Sequence, residues 1–177
     1  MKVRFNETGD MEVLLENDLE REIFPCIERD ARALGEEWLS DSMGPDFDED
    51  WFTNWNEWIQ PEVQSAYNAQ LMSVRQFGTA KDNIVFVPSS HVEFWFGAVN
   101  QARMALEAIY HFSEENIPEE REDAMAYVEQ WAEDKQGGYQ RSHFYAWFQE
   151  ILLEGMKHFS FGNNKKSSTD GAGAGQN

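Results

Sequence analysis

The chain has 177 residues, of which 41% are hydrophobic and 14% aromatic, so the composition predicts a packed core rather than a disordered chain. Its 33 acidic and 14 basic residues give a net charge of −19, which repels phosphate backbones and anionic membranes. The single cysteine, Cys26, excludes an intramolecular disulfide and a Cys-rich zinc module. No apolar run approaches the length of about eighteen residues typical of a membrane span, and the start lacks the layout of a signal peptide, so we expect a cytoplasmic protein. We also expect that it binds neither nucleic acid nor membrane and uses no cofactor.

The chain is predicted to start with a small β-hairpin. Residues 2–6 alternate apolar and polar side chains as in a strand, and after the turn residue Gly9 residues 11–15 can return as a second strand. A helix follows, capped by Asn17 or Asp18, because short polar side chains accept the amide protons left open at a helix start. Pro25 should kink this helix or delay its start, since proline lacks the backbone donor.

Residues 40–50 are predicted to form an acidic linker that leads into a dense aromatic stripe at helical spacing. The stripe consists of Trp51, Phe52, Trp55, Trp58 and Ile59. We favour a core role over a ligand cage because no directed polar group lies beside the stripe. The acids at positions 46, 48, 50 and 57 match calcium-loop spacing, but Trp51 replaces the required glycine, and charges favoured at a helix start explain them better.

The longest apolar pattern, from Phe86 to Phe112, predicts a central helix that is covered on two sides. A helix over residues 61–77 precedes it, and the β-branched and aromatic residues 84–87 predict a third short strand that feeds into it. Ser90 and Glu93 have the spacing of a capping box, so we expect the central helix to start there.

Arg103 lies in the middle of the larger apolar face of the central helix. A buried guanidinium needs acceptors, and Asn100 and Glu107 are the nearest candidates along the helix. A structural ion pair, or a stem packed on Trp95 or Phe96, is favoured over an anion or partner site. If the acceptor of Arg103 is a buried carboxylate, replacing Arg103 with alanine should lower the free energy of unfolding by about 3–5 kcal/mol.

After the central helix, a modest helix over residues 124–131 is predicted to stop at Gly137–Gly138. A strong last helix, capped by Ser142, follows, and the low-complexity residues 161–177 are predicted to be a disordered tail beyond a single domain over residues 1–160. The fold class is therefore mainly α (α+β): a bundle of at least five helices around a central buried helix, with the small N-terminal hairpin and its third strand.

Four stretches resemble, in this order, the oxidative stress regulator AosR family, a bacterial family formerly of unknown function and often encoded beside the Clp adaptor ClpS. They read VRF, LEREIFPCIERDARAL, FWFGAVNQARMALE and FYAWFQEILLEGM. That family typically has Trp, Asn and Arg on its central helix at the spacing of Trp95, Asn100 and Arg103. The aromatic start of its last helix corresponds here to Tyr145, Trp147 and Phe148.

The resemblance implies a non-enzymatic helical regulator that acts through protein contacts with the transcription machinery, and it leaves a homo-oligomer open. We take as the candidate structural or partner site Trp95, Asn100, Arg103, Glu107 and Trp147. The redox mechanism proposed for the family needs a cysteine pair near the start of the chain. Because this chain has only Cys26, thiol–disulfide sensing within one chain does not carry over.

The alternative function is a metal-dependent enzyme that uses Glu and His ligands on helices. Glu107 with His111, and Glu154 with His158, are four residues apart and could face a metal. Di-iron bundles use Glu-x-x-His spacing instead, and the sequence contains no hydrolase, nucleotide-loop or zinc-protease motif. We therefore expect no enzyme and no metal ligands; metal analysis of the purified protein would separate the two functions.

Overall fold

The computed structural model describes residues 1–6, 10–33, 57 and 60–166, with side chains described through residue 157. The described strands and α-helices are, in chain order, β1 (Lys2–Phe5), β2 (Met11–Leu14), α1 (Asp18–Ile23), α2 (Cys26–Ala31), α3 (Gln60–Phe77), β3 (Ile84–Val87), α4 (Val92–Tyr110), α5 (Arg121–Val128) and α6 (Glu133–Lys166). The predicted mainly helical fold with a small sheet is confirmed. The predicted linker, the aromatic stripe and the calcium-like acids at 46, 48 and 50 lie outside the described residues.

The sheet is antiparallel in the order β1-β2-β3, so the predicted hairpin and third strand are both present. Met11 of the middle strand lies between Phe5 and Val87, and Val13 lies between Val3 and Val85. These alternate positions form the inner face, on which Met11, Val13, Val85 and Val87 are each 0% exposed.

The predicted cap and helix break near the start of the chain are also present. The Asn17 side chain accepts a hydrogen bond from the Glu20 backbone amide at 2.9 Å. The Glu20 carboxylate in turn accepts from the Asn17 side-chain amide at 2.9 Å, so each residue holds the other in place. Pro25 separates α1 from α2, as expected for a residue that lacks the backbone donor.

Helix α4 is the centre of the bundle and packs against α2, α3 and α6. Its indole at Trp95 is 0% exposed and lies between Phe24 and Phe148, with ring centroids 5.6 Å and 6.1 Å away. The central helix is therefore covered on several sides, as its apolar pattern predicts.

The predicted capping box at the start of α4 is wrong. Residues Ser89–His91 form a 3-10 turn, and α4 begins at Val92 without a side-chain cap. Ser90 lies inside this turn, so its hydroxyl is not at the cap position of α4. The Asp10 carboxylate instead accepts a hydrogen bond from the Ser89 backbone amide at 2.9 Å, which ties the turn to the start of β2.

The predicted stop at Gly137–Gly138 and the predicted cap at Ser142 are wrong as well, because α6 runs through all three residues. A Cβ atom added at Gly138 would lie 2.5 Å from a ring carbon of Tyr110. Glycine at this position thus permits close packing of α6 on the end of α4. Helix α6 continues to Lys166, past the predicted start of the tail, and residues 167–177 lie outside the described residues.

Gly138 and Gly137 provide a matched pair of substitutions. We expect Gly138→Ala to lower the free energy of unfolding by about 1–3 kcal/mol because the methyl group collides with the Tyr110 ring. Gly137→Ala meets only the end of the Arg141 side chain, at 3.3 Å, and should stabilise the helix by about 0.5–1 kcal/mol. Urea unfolding of both variants measures the difference; equal stabilities would contradict the close packing.

Candidate functional site

Arg103 takes part in a polar seam between α4 and α6. Its Nη1 donates to the Oε1 atom of Gln149 at 2.5 Å, and Gln149 donates to the Asn100 side chain at 3.4 Å. Asn100 in turn donates to the sulfur of Met104 at 3.4 Å. Gln149 is only 4% exposed, so a buried neutral amide supplies the acceptor for Nη1 of Arg103.

The expected pairing of Arg103 with Glu107 is wrong, since no salt bridge joins these two described residues. The Glu107 carboxylate accepts instead from the Ser113 backbone amide at 2.9 Å and from its hydroxyl at 2.6 Å. The reason lies at the end of α4, where His111 adopts a left-handed conformation with φ 52°. This reversal brings Ser113 back over the last turn of the helix, and Glu107 serves to hold it there.

Two donors at the centre of the bundle have no acceptor within the described part of the chain. They are Nε of Arg103 and Nε1 of Trp95, both of which are buried. The partly covered ring of His143 lies nearby and packs on the ring of Tyr139, with the two ring centroids 4.3 Å apart. Burial lowers the pKa of His143, and the positive charge of Arg103 lowers it further. The seam therefore favours a neutral imidazole beside the guanidinium.

Trp147 does not join this seam but lies in a groove between β1 and α6, with a cavity volume of about 520 Å³. The apolar lining consists of Val3, Phe5, Trp147, Ile151 and Leu153. The charged lining consists of Glu150, Glu154 and Lys157, of which Lys157 donates to Glu154 at 2.6 Å. Within this β1–α6 groove, Trp147 and Leu153 are 41% and 42% exposed.

A second polar cluster, which the sequence prediction missed, surrounds Asp30 of α2. Asp30 is 5% exposed, and its Oδ1 accepts from Arg29 Nε at 3.1 Å and Nη2 at 2.9 Å. Its Oδ2 accepts from Arg141 Nε at 2.7 Å and from the Tyr145 hydroxyl at 2.9 Å. Burial, followed by the charge of Asp30 and the hydrogen bond to it, raises the pKa of Tyr145 far above its usual range.

The sequence contains a signal for Asp30 that resembles the one for Arg103. Asp30 comes three residues after Ile27 and one before Ala31, so a charged side chain occupies the apolar stripe of its helix. Its partners Arg141 and Tyr145 are more than 100 residues away in the chain, so local spacing does not identify them.

The Glu and His residues that were considered as metal ligands under the alternative function make other contacts where their side chains are described. Nδ1 of His111 lies 3.5 Å from Oε1 of Glu114, and the Glu107 carboxylate accepts a hydrogen bond from Ser113. The side chain of His158 lies outside the described residues. No group of three or more His, Cys, Asp or Glu residues is placed to hold a metal ion in the part of the chain with described side chains. Likewise, none of the described helices is long and apolar enough to cross a membrane.

The sequence profile of one protein family matches residues 10–156 of the 177. The chain belongs to the DUF2017 family, a domain of unknown function. The matched range of this DUF2017 chain contains the polar seam, the Asp30 cluster and most of the α6 wall of the groove, whereas β1 precedes it. No curated protein and no solved structure matches the DUF2017 chain.

Proposed function

We propose that this DUF2017 protein is a non-enzymatic regulatory protein that binds another protein through the β1–α6 groove. The observation that carries this proposal is the exposed indole of Trp147, set in an apolar groove beside Leu153 and Ile151. Partly exposed tryptophans surrounded by apolar and charged side chains are typical of the residues that dominate protein interfaces. Of the predicted site residues, Trp147 is thus assigned to partner binding.

The other predicted site residues support the groove from within. Trp95 is fully buried, Arg103 and Asn100 hold α6 through Gln149, and Glu107 closes the end of α4. Since α6 also forms one wall of the groove, these contacts fix the position of Trp147 relative to the bundle core. We therefore assign them positioning roles.

We propose a partner from the transcription machinery, which follows from the resemblance to the oxidative stress regulator AosR family. The net charge of −19 favours a basic protein surface and opposes duplex DNA. Regulation would thus operate through protein contact, with the cell compartment of that machinery, the cytoplasm, as the place of action. A single cysteine requires that this contact does not depend on a disulfide within one chain.

Purified bacterial RNA polymerase provides a direct test. We expect the wild-type protein to bind immobilised polymerase with an affinity that falls as salt rises, and Trp147→Ala to weaken binding about tenfold or more. Met72→Ala is the matched control, because Met72 is 68% exposed and lies on α3 outside the groove. The measurement is biolayer interferometry at several salt concentrations.

A lack of any polymerase complex, or equal losses in the Trp147 and Met72 variants, would contradict the proposal. A mobility-shift assay with duplex DNA completes the test, since the acidic chain should form no complex at moderate salt. A tight, salt-sensitive DNA complex would overturn the role through protein contact.

A further inference from the structure

We infer that the β1–α6 groove receives an extended, basic segment of the partner, which pairs with β1 as a fourth strand of the sheet. This inference rests on the proposed function and specifies how the partner binds. Three features carry it: the position of β1 in the sheet, the direction of the backbone groups at Val3, and the charge of the groove.

Strand β1 is an edge strand of the described sheet, whose order is β1-β2-β3. Val3 lines the β1–α6 groove on one face of the sheet and also a cavity of about 360 Å³ on the other face. Space is therefore open on both sides of the sheet at the same edge residue. An added strand needs such a two-sided opening, because its successive side chains point to opposite faces.

The hydrogen bonds of the sheet give the direction of the Val3 backbone. The Asn6 amide donates to the Asp10 carbonyl at 3.0 Å. In an antiparallel pair every second residue exchanges hydrogen bonds with the opposite strand, so Arg4 pairs in this way with Glu12, and Lys2 with Leu14. Val3 belongs to the intervening set and directs its N–H and C=O away from β2. These two groups therefore face the edge at which a partner strand would add.

The groove selects the side chains of the added strand. A residue opposite Val3 would place its side chain on the groove side, against Trp147 and Ile151, and so would the residues two positions before and after it. The partner segment should thus carry apolar side chains at alternate positions. Recognition by strand addition combines such alternate pockets with backbone hydrogen bonds.

Charge specifies the ends of the segment. Glu150 lines the groove, and no ion pair engages it within the described side chains. The chain as a whole carries a net charge of −19. A Lys or Arg in the groove-facing register, at either end of the apolar positions, would therefore meet a carboxylate.

A synthetic peptide with the sequence acetyl-Lys-Thr-Val-Thr-Ile-Thr-Lys-amide has this pattern and serves as the probe. Two isomers separate strand pairing from charge: one N-methylated on Val and Ile, the other on two Thr residues. Methylation on one alternate set blocks the donors that face β1, and on the other set it leaves them intact. We measure binding to the full chain by fluorescence anisotropy. The isomer that keeps its β1-facing N–H groups should bind as tightly as the parent, and the isomer that is methylated on those groups should bind about tenfold more weakly.

Val3→Pro tests the same contact from the protein side. Proline removes the outward N–H of Val3 without removing a bond between β1 and β2, and edge strands tolerate it. We expect it to weaken peptide binding about tenfold while the thermal melt stays close to that of wild type. Val3→Ala retains the N–H and is the matched control for the lost side chain.

No binding of the parent peptide, or equal affinities for the two isomers, would refute strand addition. Equal affinities would show attraction between charges alone. If polymerase binding depends on Trp147 while the isomers bind equally, strand addition fails and the proposed function stands. If the isomers differ but the polymerase forms no complex, the groove recognises strands and the proposed partner fails.

Discussion

Replacing Asp30 with alanine is expected to lower the free energy of unfolding by about 3–5 kcal/mol. The Asp30 carboxylate accepts four hydrogen bonds, from Arg29, Arg141 and Tyr145. Removing it leaves the largely buried Arg141 charge and the buried Tyr145 hydroxyl without their acceptor. Because these contacts join α2 to α6, the loss should appear as a lower midpoint of the whole cooperative unfolding transition, measured with urea.

Arg103→Ala is the matched comparison, and we expect it to lower the free energy of unfolding by about 1–3 kcal/mol. The larger cost predicted from the sequence assumed a carboxylate partner, whereas the partner in the structure is the neutral amide of Gln149. The alanine variant therefore leaves the buried amide oxygen of Gln149 without its donor but leaves no unpaired buried charge. A loss at Arg103 equal to that at Asp30 would contradict this order of importance.

Trp95→Ala is expected to lower the free energy of unfolding by about 3–5 kcal/mol, the range for removing a buried aromatic side chain. Trp95 is 0% exposed and packs on both Phe24, at the end of α1, and Phe148 of α6, so its removal opens a cavity between these elements and α4. Thermal and urea unfolding of the variant measure this cost.

Trp147→Ala is the control for Trp95, since it removes the same side chain from a site that is 41% exposed. We expect a much smaller loss of stability, so the variant stays folded in the binding test. Similar destabilisation by the two substitutions would show that Trp147 belongs to the core and would weaken its assignment to the groove.

The features that the sequence predicted correctly depend on neighbouring residues. The Asn17 cap requires only Glu20 three positions later, and Pro25 breaks the helix because of its own ring. The strand at residues 84–87 follows from its β-branched and aromatic composition. In each case the physical cause lies within a few residues of its effect.

The features that were missed depend on distant residues. Gly138 resembles a helix stop in the sequence, but the ring of Tyr110 explains why glycine is present. The apolar face of α4 correctly marked Arg103 as a residue that needs an acceptor, whereas Gln149, 46 positions away, could not be identified from helical spacing. The groove at Trp147 likewise requires β1 to lie beside α6, which no local pattern indicates.

The pairing of β2 with β3 has a consequence for the order in which the chain folds. Strands β1 and β2 are close together in the sequence, but β3 comes only after the chain between residues 14 and 84. Closing such a long loop is slow and opposed by entropy, so the hairpin can form early while β3 must wait. Since β3 leads into α4 through a single turn, the last strand to pair and the central helix should become stable together.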